Sequence, residues 1–335
     1  MLKVKDLLLE HQRQIEKLST KSQALALVVQ ELRRYSSNFG ENEDSTIESI
    51  LGAWTESIGQ LEHLINPIGL PVGITKDGRI ETRTFENVAV LLTDIRGFTS
   101  LSHTVVNEWK ITVFDFLSYC YFPIIAEVVE DYGCHYLNYT GDGLLIMGQE
   151  RLDPATGKNL SALDNITLCA LQLVEVTTAI SQVWADMGLM QNSGVFHETG
   201  IGISFGRVEV GDPFVPDRSF DGKLLEFQKR FATYQNSHNH HWQARNNFKD
   251  RVRGIHALGP TINLASRLQD TDKRMPNHTC IIEKSDCERL SPSLKKLYES
   301  LGTVTLPGLG DCEVFGMPRK NEPDLIKLRE ACLKP

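Results

Sequence analysis

The segments between residues 88 and 210 follow one another in an order that narrows the possible folds more than any other feature of the chain. A strand-like apolar run, Val88 to Thr93, leads into a helical stretch from roughly Val105 to Asp131. A strand from Cys134 to Tyr139 turns at Gly141-Asp142-Gly143 into a second strand, Leu144 to Met147. A long helix is expected from about Ala162 to Met187. A strand from Glu198 to Ser204 then turns at Phe205-Gly206 into Arg207 to Val210. The sequence of strand, helix, two strands, helix and strand is that of an α+β ferredoxin-like βαββαβ core. Downstream, Gly259-Pro260 opens a helix containing Asn263. A strand at His278 to Ile282, short helices around Ser285 to Glu299, and strands at Thr303 to Leu306 and Glu313 to Gly316 would extend the sheet.

The remainder divides around this core. Residues 1–80 form a helical N-terminal segment in the sequence pattern: Leu7, Leu8, Ile15 and Leu18 recur at helical spacing, and a second helix is expected from Thr46 to Leu64. That segment is expected either to pair helices across a dimer, in a dimerising or regulatory role, or to cap its own domain. Pro67, Pro71, Gly73 and Asp77-Gly78 mark the boundary of a second domain over 81–320. It carries a polar insert at about 212–253, in which Leu224 to Tyr234 can form a helix, and a charged C-terminal tail follows at 321–335. The insert also holds His238, His240 and His241, whose spacing fits no closed zinc site.

Composition excludes several classes. The 335 residues carry a formal charge of −8, and no basic block is long enough to track a nucleic-acid backbone. No apolar run is expected to span a membrane, and Met1-Leu2-Lys3-Val4-Lys5-Asp6 does not read as a signal peptide. Seven cysteines without paired spacing suit reduced thiols and a cytoplasmic protein.

Four polar residues stand out against the core. Asp94 closes the first apolar run, and Asp142 occupies the Gly-Asp-Gly turn. In a βαββαβ fold the first strand and the central hairpin are neighbours, so the two carboxylates would converge at one edge. Carboxylates that close repel unless a cation lies between them. An all-oxygen ligand set suits Mg2+ or Mn2+, with nucleotide phosphates completing the shell. Gly97 lets the chain turn closely around a ligand, and Thr99 or Ser100 can cap the next helix, where backbone amides attract phosphate. Asn263 and Arg267, four residues apart, share one helix face and suit a ribose and a phosphate.

These segments resemble the class III nucleotidyl cyclases, the adenylate and guanylate cyclase family. The matching motifs are Leu92-Thr93-Asp94-Ile95-Arg96-Gly97-Phe98-Thr99, Thr140-Gly141-Asp142, Thr199-Gly200-Ile201-Gly202-Ile203-Ser204-Phe205-Gly206, and Gly259 through Arg267, all in the family's order. The resemblance implies cyclisation of a nucleoside triphosphate to a 3′,5′-cyclic nucleotide and pyrophosphate with two Mg2+ or Mn2+ ions. Asp94, Asp142 and the Ile95 carbonyl would hold the ions. Arg267 would stabilise the transition state, Asn263 would orient the ribose, and Gly97, Phe98 and Thr99 would line the phosphates. It further implies a head-to-tail homodimer, with the Asp pair and the Asn/Arg pair of each site coming from different copies.

The chain departs from the family where the base is read. Asn138 stands where adenylate cyclases have Lys and guanylate cyclases Glu, and His256 replaces the second base-reading residue. Tyr136, with Tyr139, is expected to flank the base. The family's triphosphate-binding Lys also has no counterpart in Leu306-Pro307-Gly308-Leu309-Gly310, leaving Arg96, Arg251, Arg253 or Arg319 as substitutes. Lacking both purine signatures, the chain is most similar to the soluble bacterial pyrimidine cyclases of antiphage defence, with UTP converted to cyclic UMP. Cytidylate cyclisation, an adenylate or guanylate cyclase with an altered base pocket, and a non-catalytic homologue that only binds are the alternatives.

Overall fold

The computed structural model describes residues 81–140, 142–153, 157–186, 199–213, 221–237, 256–319 and 322–333. The N-terminal segment, the histidine cluster, Arg251 and Arg253 lie outside the described residues.

The chain runs β1 (Arg83–Ile95), α1 (Phe98–Asn107), α2 (Val113–Cys120), α3 (Phe122–Asp131), β2 (His135–Thr140), β3 (Gly143–Gly148), β4 (Arg151–Leu152), β5 (Asn159–Leu160), α4 (Ala162–Asp186), β6 (Thr199–Gly211), α5 (Asp221–Ser237), β7 (His256–Leu258), α6 (Pro260–Asp272), β8 (His278–Glu283), α7 (Lys284–Cys287), α8 (Pro292–Lys295), β9 (Glu299–Leu306), β10 (Gly310–Pro318) and α9 (Glu322–Leu333). The main sheet has the order β2-β3-β1-β6-β8-β10-β9, with β7 added to β6. Its first four strands are antiparallel neighbours in the ferredoxin-like arrangement. The C-terminal strands join through a parallel β6–β8 pair.

Both faces of this sheet are covered, which is why β1 reads as an unbroken apolar run rather than an alternating one. Ala89 and Leu91 enter the main core beneath the α1–α4 helices, while Val88, Val90 and Leu92 enter a second cluster with Val208, Val210 and Ala265 under α6. Leu268, Ile281, Leu306 and Val314 form a third cluster under the C-terminal strands. Residues Ala162–Ala185 of α4 are long and apolar enough to cross a membrane by length and composition, contrary to the reading from sequence, but 89% of that apolar window is buried inside the protein. All seven cysteines are free thiols.

Three local differences from the sequence reading have identifiable causes. The expected helix over 105–131 is three helices. Lys110 takes φ 59, which an α-helix cannot contain. Thr112 restarts the chain by accepting a 3.0 Å bond from the Asp115 amide, and Pro123 is tolerated only because it falls in the first turn of α3. Second, no turn separates two strands at Phe205-Gly206. β6 is continuous, and the irregularity sits opposite it in β1, where the register shifts between Phe85 and Val88 and Asn87 takes φ 55. Third, the C-terminal tail includes a helix, α9, docked on α4, where Arg329 Nε donates to Oε2 of the buried Glu175 at 3.1 Å.

The Gly-rich motif of β6 has a steric origin. Ile201 and Ile203 point into the main core, and the alternate positions, Gly200 and Gly202, face α6. A Cβ on Gly202 would lie 2.1 Å from the Ala265 carbonyl oxygen and 2.4 Å from the Gln269 nitrogen. The helix therefore rests on bare strand backbone. Gly202→Ala should cost about 3 kcal/mol, the upper end for an overpacked core, read as a lowered urea midpoint. Gly222→Ala, whose Cβ would meet nothing within 4 Å, should be neutral or slightly stabilising. Equal midpoints for wild type and Gly202→Ala would refute the close-approach account.

Candidate active site

β1 carries Asp94 to the edge of the sheet opposite Gly200, and the β2–β3 hairpin brings Asp142 beside it. Two bonds tie hairpin to strand: the Ile95 amide donates to Asp142 Oδ2 at 3.1 Å, and the Leu144 amide donates to Thr93 Oγ1 at 3.1 Å. The convergence expected from topology is therefore present. Burial raises the Asp142 pKa from the ordinary 3.8 to about 6. The neighbouring Asp94 charge adds to the rise, and the Ile95 amide partly offsets it.

Asp94 already has cationic and polar company. Lys273 Nζ lies 2.9 Å from Asp94 Oδ2, and Gln269 Nε2 donates to the same oxygen at 3.2 Å. Burial opposes the charge on Lys273, but bonding and attraction from Asp94, then Asp270, outweigh it and raise its pKa. The motif read from sequence ends at Arg267. Yet Gln269 and Lys273 continue the same helix at i and i+4, a spacing that already marks a shared face.

An ion cluster lies next to this pair. Asp272, fully buried, accepts from Arg96 Nη2 at 2.6 Å, from Arg96 Nε at 3.2 Å and from Arg319 Nη2 at 3.3 Å. Its carboxylate fits because Gly200 lacks a side chain: a Cβ there would lie 2.5 Å from Asp272 Oδ2. The cluster pins the Asp94-Ile95-Arg96 loop to the end of α6. Arg96 and Arg319, two of the residues expected to stand in for a triphosphate-binding lysine, both converge on Asp272, and removing a partner from a buried carboxylate is costly.

Gly97, with φ 71, is the N-cap of α1. The helix therefore starts at Phe98, one residue before the expected cap Thr99. The Phe98 side chain packs on the main core, so a contribution to phosphate binding would come from backbone in this first turn, where the helix dipole favours anions.

Asn263 and Arg267 lie on the exposed side of α6. Arg267 Nη1 is 3.8 Å from Asp270 Oδ2, and among the described residues no hydrogen bond or ion pair joins Asn263 or Arg267 to Asp94 or Asp142. The two halves of the quartet thus stay separate within one chain. Asn138 sits opposite Leu145 in β2, and His256 opens β7, which packs against β2. The two base-reading candidates accordingly come from strands that touch without pairing in the sheet. Tyr136 is 8% exposed within the main core, which corrects the expectation that it lines a base pocket: its ring is already packed against core side chains.

Among the described residues no group of three or more His, Cys, Asp or Glu could hold a metal. The fit is instead to an ion shared between two carboxylates and a ligand. Asp94, Asp142 and the Ile95 carbonyl are all hard oxygen donors, the mutual repulsion at Asp142 calls for positive charge, and the Lys273 ammonium stands where an ion on Asp94 would compete with it.

No protein-family model matches the chain, and no curated protein matches it. Among solved structures, it is similar to the guanylyl cyclase Cya2 at 19% identity and a TM-score of 0.44, over 71% of this chain and 92% of that one. A bacterial light-regulated adenylyl cyclase gives 16% identity and a TM-score of 0.47, over 89% of this chain and 72% of that one. The adenylyl cyclase CyaB from P. aeruginosa gives 19% identity and a TM-score of 0.41, over 72% and 97%. Likeness of this order carries no weight for function, which rests on the residues above.

A carboxyl whose pKa rises on folding makes the native state bind more protons than the unfolded chain, so stability falls as pH climbs between the two values. In metal-free protein, Asp142→Asn should therefore melt higher than wild type above pH 6, with the gain shrinking as pH falls toward 3.8. Mn2+ should raise the wild-type melting temperature and leave the variant's nearly unchanged. Equal stabilisation of both by Mn2+ would remove Asp142 from the metal site.

Proposed function

We propose that this protein is a nucleotidyl cyclase, converting a nucleoside triphosphate to a 3′,5′-cyclic nucleotide and pyrophosphate. The observation that carries the reading is the carboxylate pair at the β1 edge, Asp94 against Asp142, with the Ile95 amide holding Asp142 in position. Divalent ions bound there would acidify the ribose 3′-hydroxyl and offset charge at the α-phosphate. The chain's own groups supply the rest. Asp94 and Asp142 fix the position of that charge. The first turn of α1 after Gly97 offers amides to phosphate oxygens. The Arg267 guanidinium, with several donors in a plane, suits the oxygens of a phosphate under in-line attack, and Asn263, one helical turn away, suits the ribose.

Arg267 and Asn263 are exposed on α6 and, among the described residues, make no hydrogen bond or ion pair to Asp94 or Asp142 of their own chain, which supports a homodimer whose two sites each draw on both copies. For the base we propose a pyrimidine, UTP ahead of CTP. Asn138 lies in β2 and His256 in β7, strands that touch without pairing, and a carboxamide and an imidazole can each offer both donor and acceptor to a pyrimidine edge. A messenger role in antiviral defence rests on the sequence resemblance alone.

Purified protein with Mn2+ and each of the four ribonucleoside triphosphates should release pyrophosphate and one cyclic nucleotide, identified by mass spectrometry as cyclic UMP. Asp94→Ala should lower turnover at least about a thousandfold while leaving the fold intact, as expected when a metal-bearing carboxylate is lost. Preferred turnover of ATP or GTP would refute the pyrimidine assignment. No product from any nucleotide would refute the cyclase reading and leave a binding role.

A further inference from the structure

We propose that Lys273 is the triphosphate-binding cation of this site, parked on Asp94 until a metal–nucleotide complex arrives. The inference rests on the cyclase reading and adds a residue to it. A nucleoside triphosphate brings more negative charge than divalent ions already shared with two carboxylates can balance, so the site needs a further cation within reach of the β- and γ-phosphates.

The arginines flanking the site are poor candidates. Arg96 and Arg319 converge on Asp272, which is fully buried. Withdrawing either toward a ligand would strip a partner from a carboxylate that water cannot reach. Lys273 differs in each respect. Its side chain is 51% exposed, and its carboxylate partners, Asp94 at 2.9 Å and Asp270 at 3.3 Å, both reach solvent. An ion pair of that kind dissociates at little cost. The flexible four-carbon stem lets the ammonium swing while the α6 backbone stays seated on β6.

The contact with Asp94 gives the movement a cause. A divalent ion on Asp94 outcompetes the single charge of an ammonium for Oδ2 and repels it. The displaced Nζ then has its strongest attraction in the phosphates entering with the ion. Gln269 Nε2 remains on Asp94 Oδ2 at 3.2 Å and keeps that oxygen oriented during the exchange. On this account α6 serves two sites at once. Lys273 acts in the site of its own chain, and Asn263 and Arg267, on the exposed side of the same helix, act in the site of the second copy.

The test is Lys273→Gln in the full chain, using titration calorimetry with the α,β-methylene analogues of UTP and ATP, the matching nucleoside monophosphates, and Mn2+ alone followed by electron paramagnetic resonance. Affinity for the preferred triphosphate analogue should fall roughly ten- to a hundredfold, the range for a charge-assisted bond. Affinity for the monophosphate should stay within about twofold. Mn2+ alone should bind more tightly than to wild type, because Asp94 no longer has a competing cation, and Lys273→Arg should restore triphosphate binding. An unchanged triphosphate affinity, a parallel loss for monophosphate and triphosphate, or weaker Mn2+ binding would overturn the assignment. If wild type itself binds neither analogue, the cyclase reading falls as well. Wild-type binding with an indifferent Lys273→Gln sinks this inference alone.

Discussion

A helix resting on bare strand backbone organises this molecule. α6 comes so close to β6 that Gly202 has no room for a methyl group, and Gly200 leaves the space that the Asp272 carboxylate fills. That contact fixes both the height and the rotation of α6. With Ala265, Leu268 and Gln269 turned inward, Asn263 and Arg267 must face outward, and the last turn must end over the Asp94 edge. A shift of α6 by the thickness of one side chain would move all of these groups together.

Electrostatics at that edge follow from the same placement. Two carboxylates converge, and burial together with Asp94 raises the pKa of Asp142. The positive charge they call for comes from Lys273, which is partly exposed and weakly held. Directly behind it, the buried Asp272 holds both Arg96 and Arg319 in a cluster that anchors the strand end. One group of charges is built to stay in place and the other to exchange partners. The contrast is one of burial rather than of residue type, since both are ordinary acid–base pairs.

Much of this was legible in the sequence, for reasons that can be stated. The order of strands and helices set the ferredoxin-like topology. The topology brought Asp94 and Asp142 together, because β1 and the β2–β3 hairpin have to be neighbours. Asn263 and Arg267 fell on one helix face through their spacing. The breaks within 105–131 were hidden because the apolar pattern continues across them, and only Lys110 and Pro123 interrupt the backbone. Tyr136 looked available because strand periodicity does not say which face is core, and a register shift at Leu137 complicates the alternation. The Lys273–Asp94 and Arg96–Asp272 ion pairs join residues more than 170 positions apart in the chain, a separation that local pattern cannot bridge. The paired glycines of β6 are a motif in the sequence, but their steric purpose is visible only with α6 in place.

The central claim is that each active site is assembled from two copies of the chain, with carboxylates from one and Asn263 and Arg267 from the other. Its most direct measurement mixes Asp142→Ala and Arg267→Ala proteins after each is shown to be folded and inactive alone. If subunits exchange freely, half the dimers are mixed and each mixed dimer has one intact site, so activity should recover to about a quarter of the wild-type value. Mixtures that stay inactive although mixed dimers form would contradict the shared site, as would full activity in a protein that remains monomeric under assay conditions.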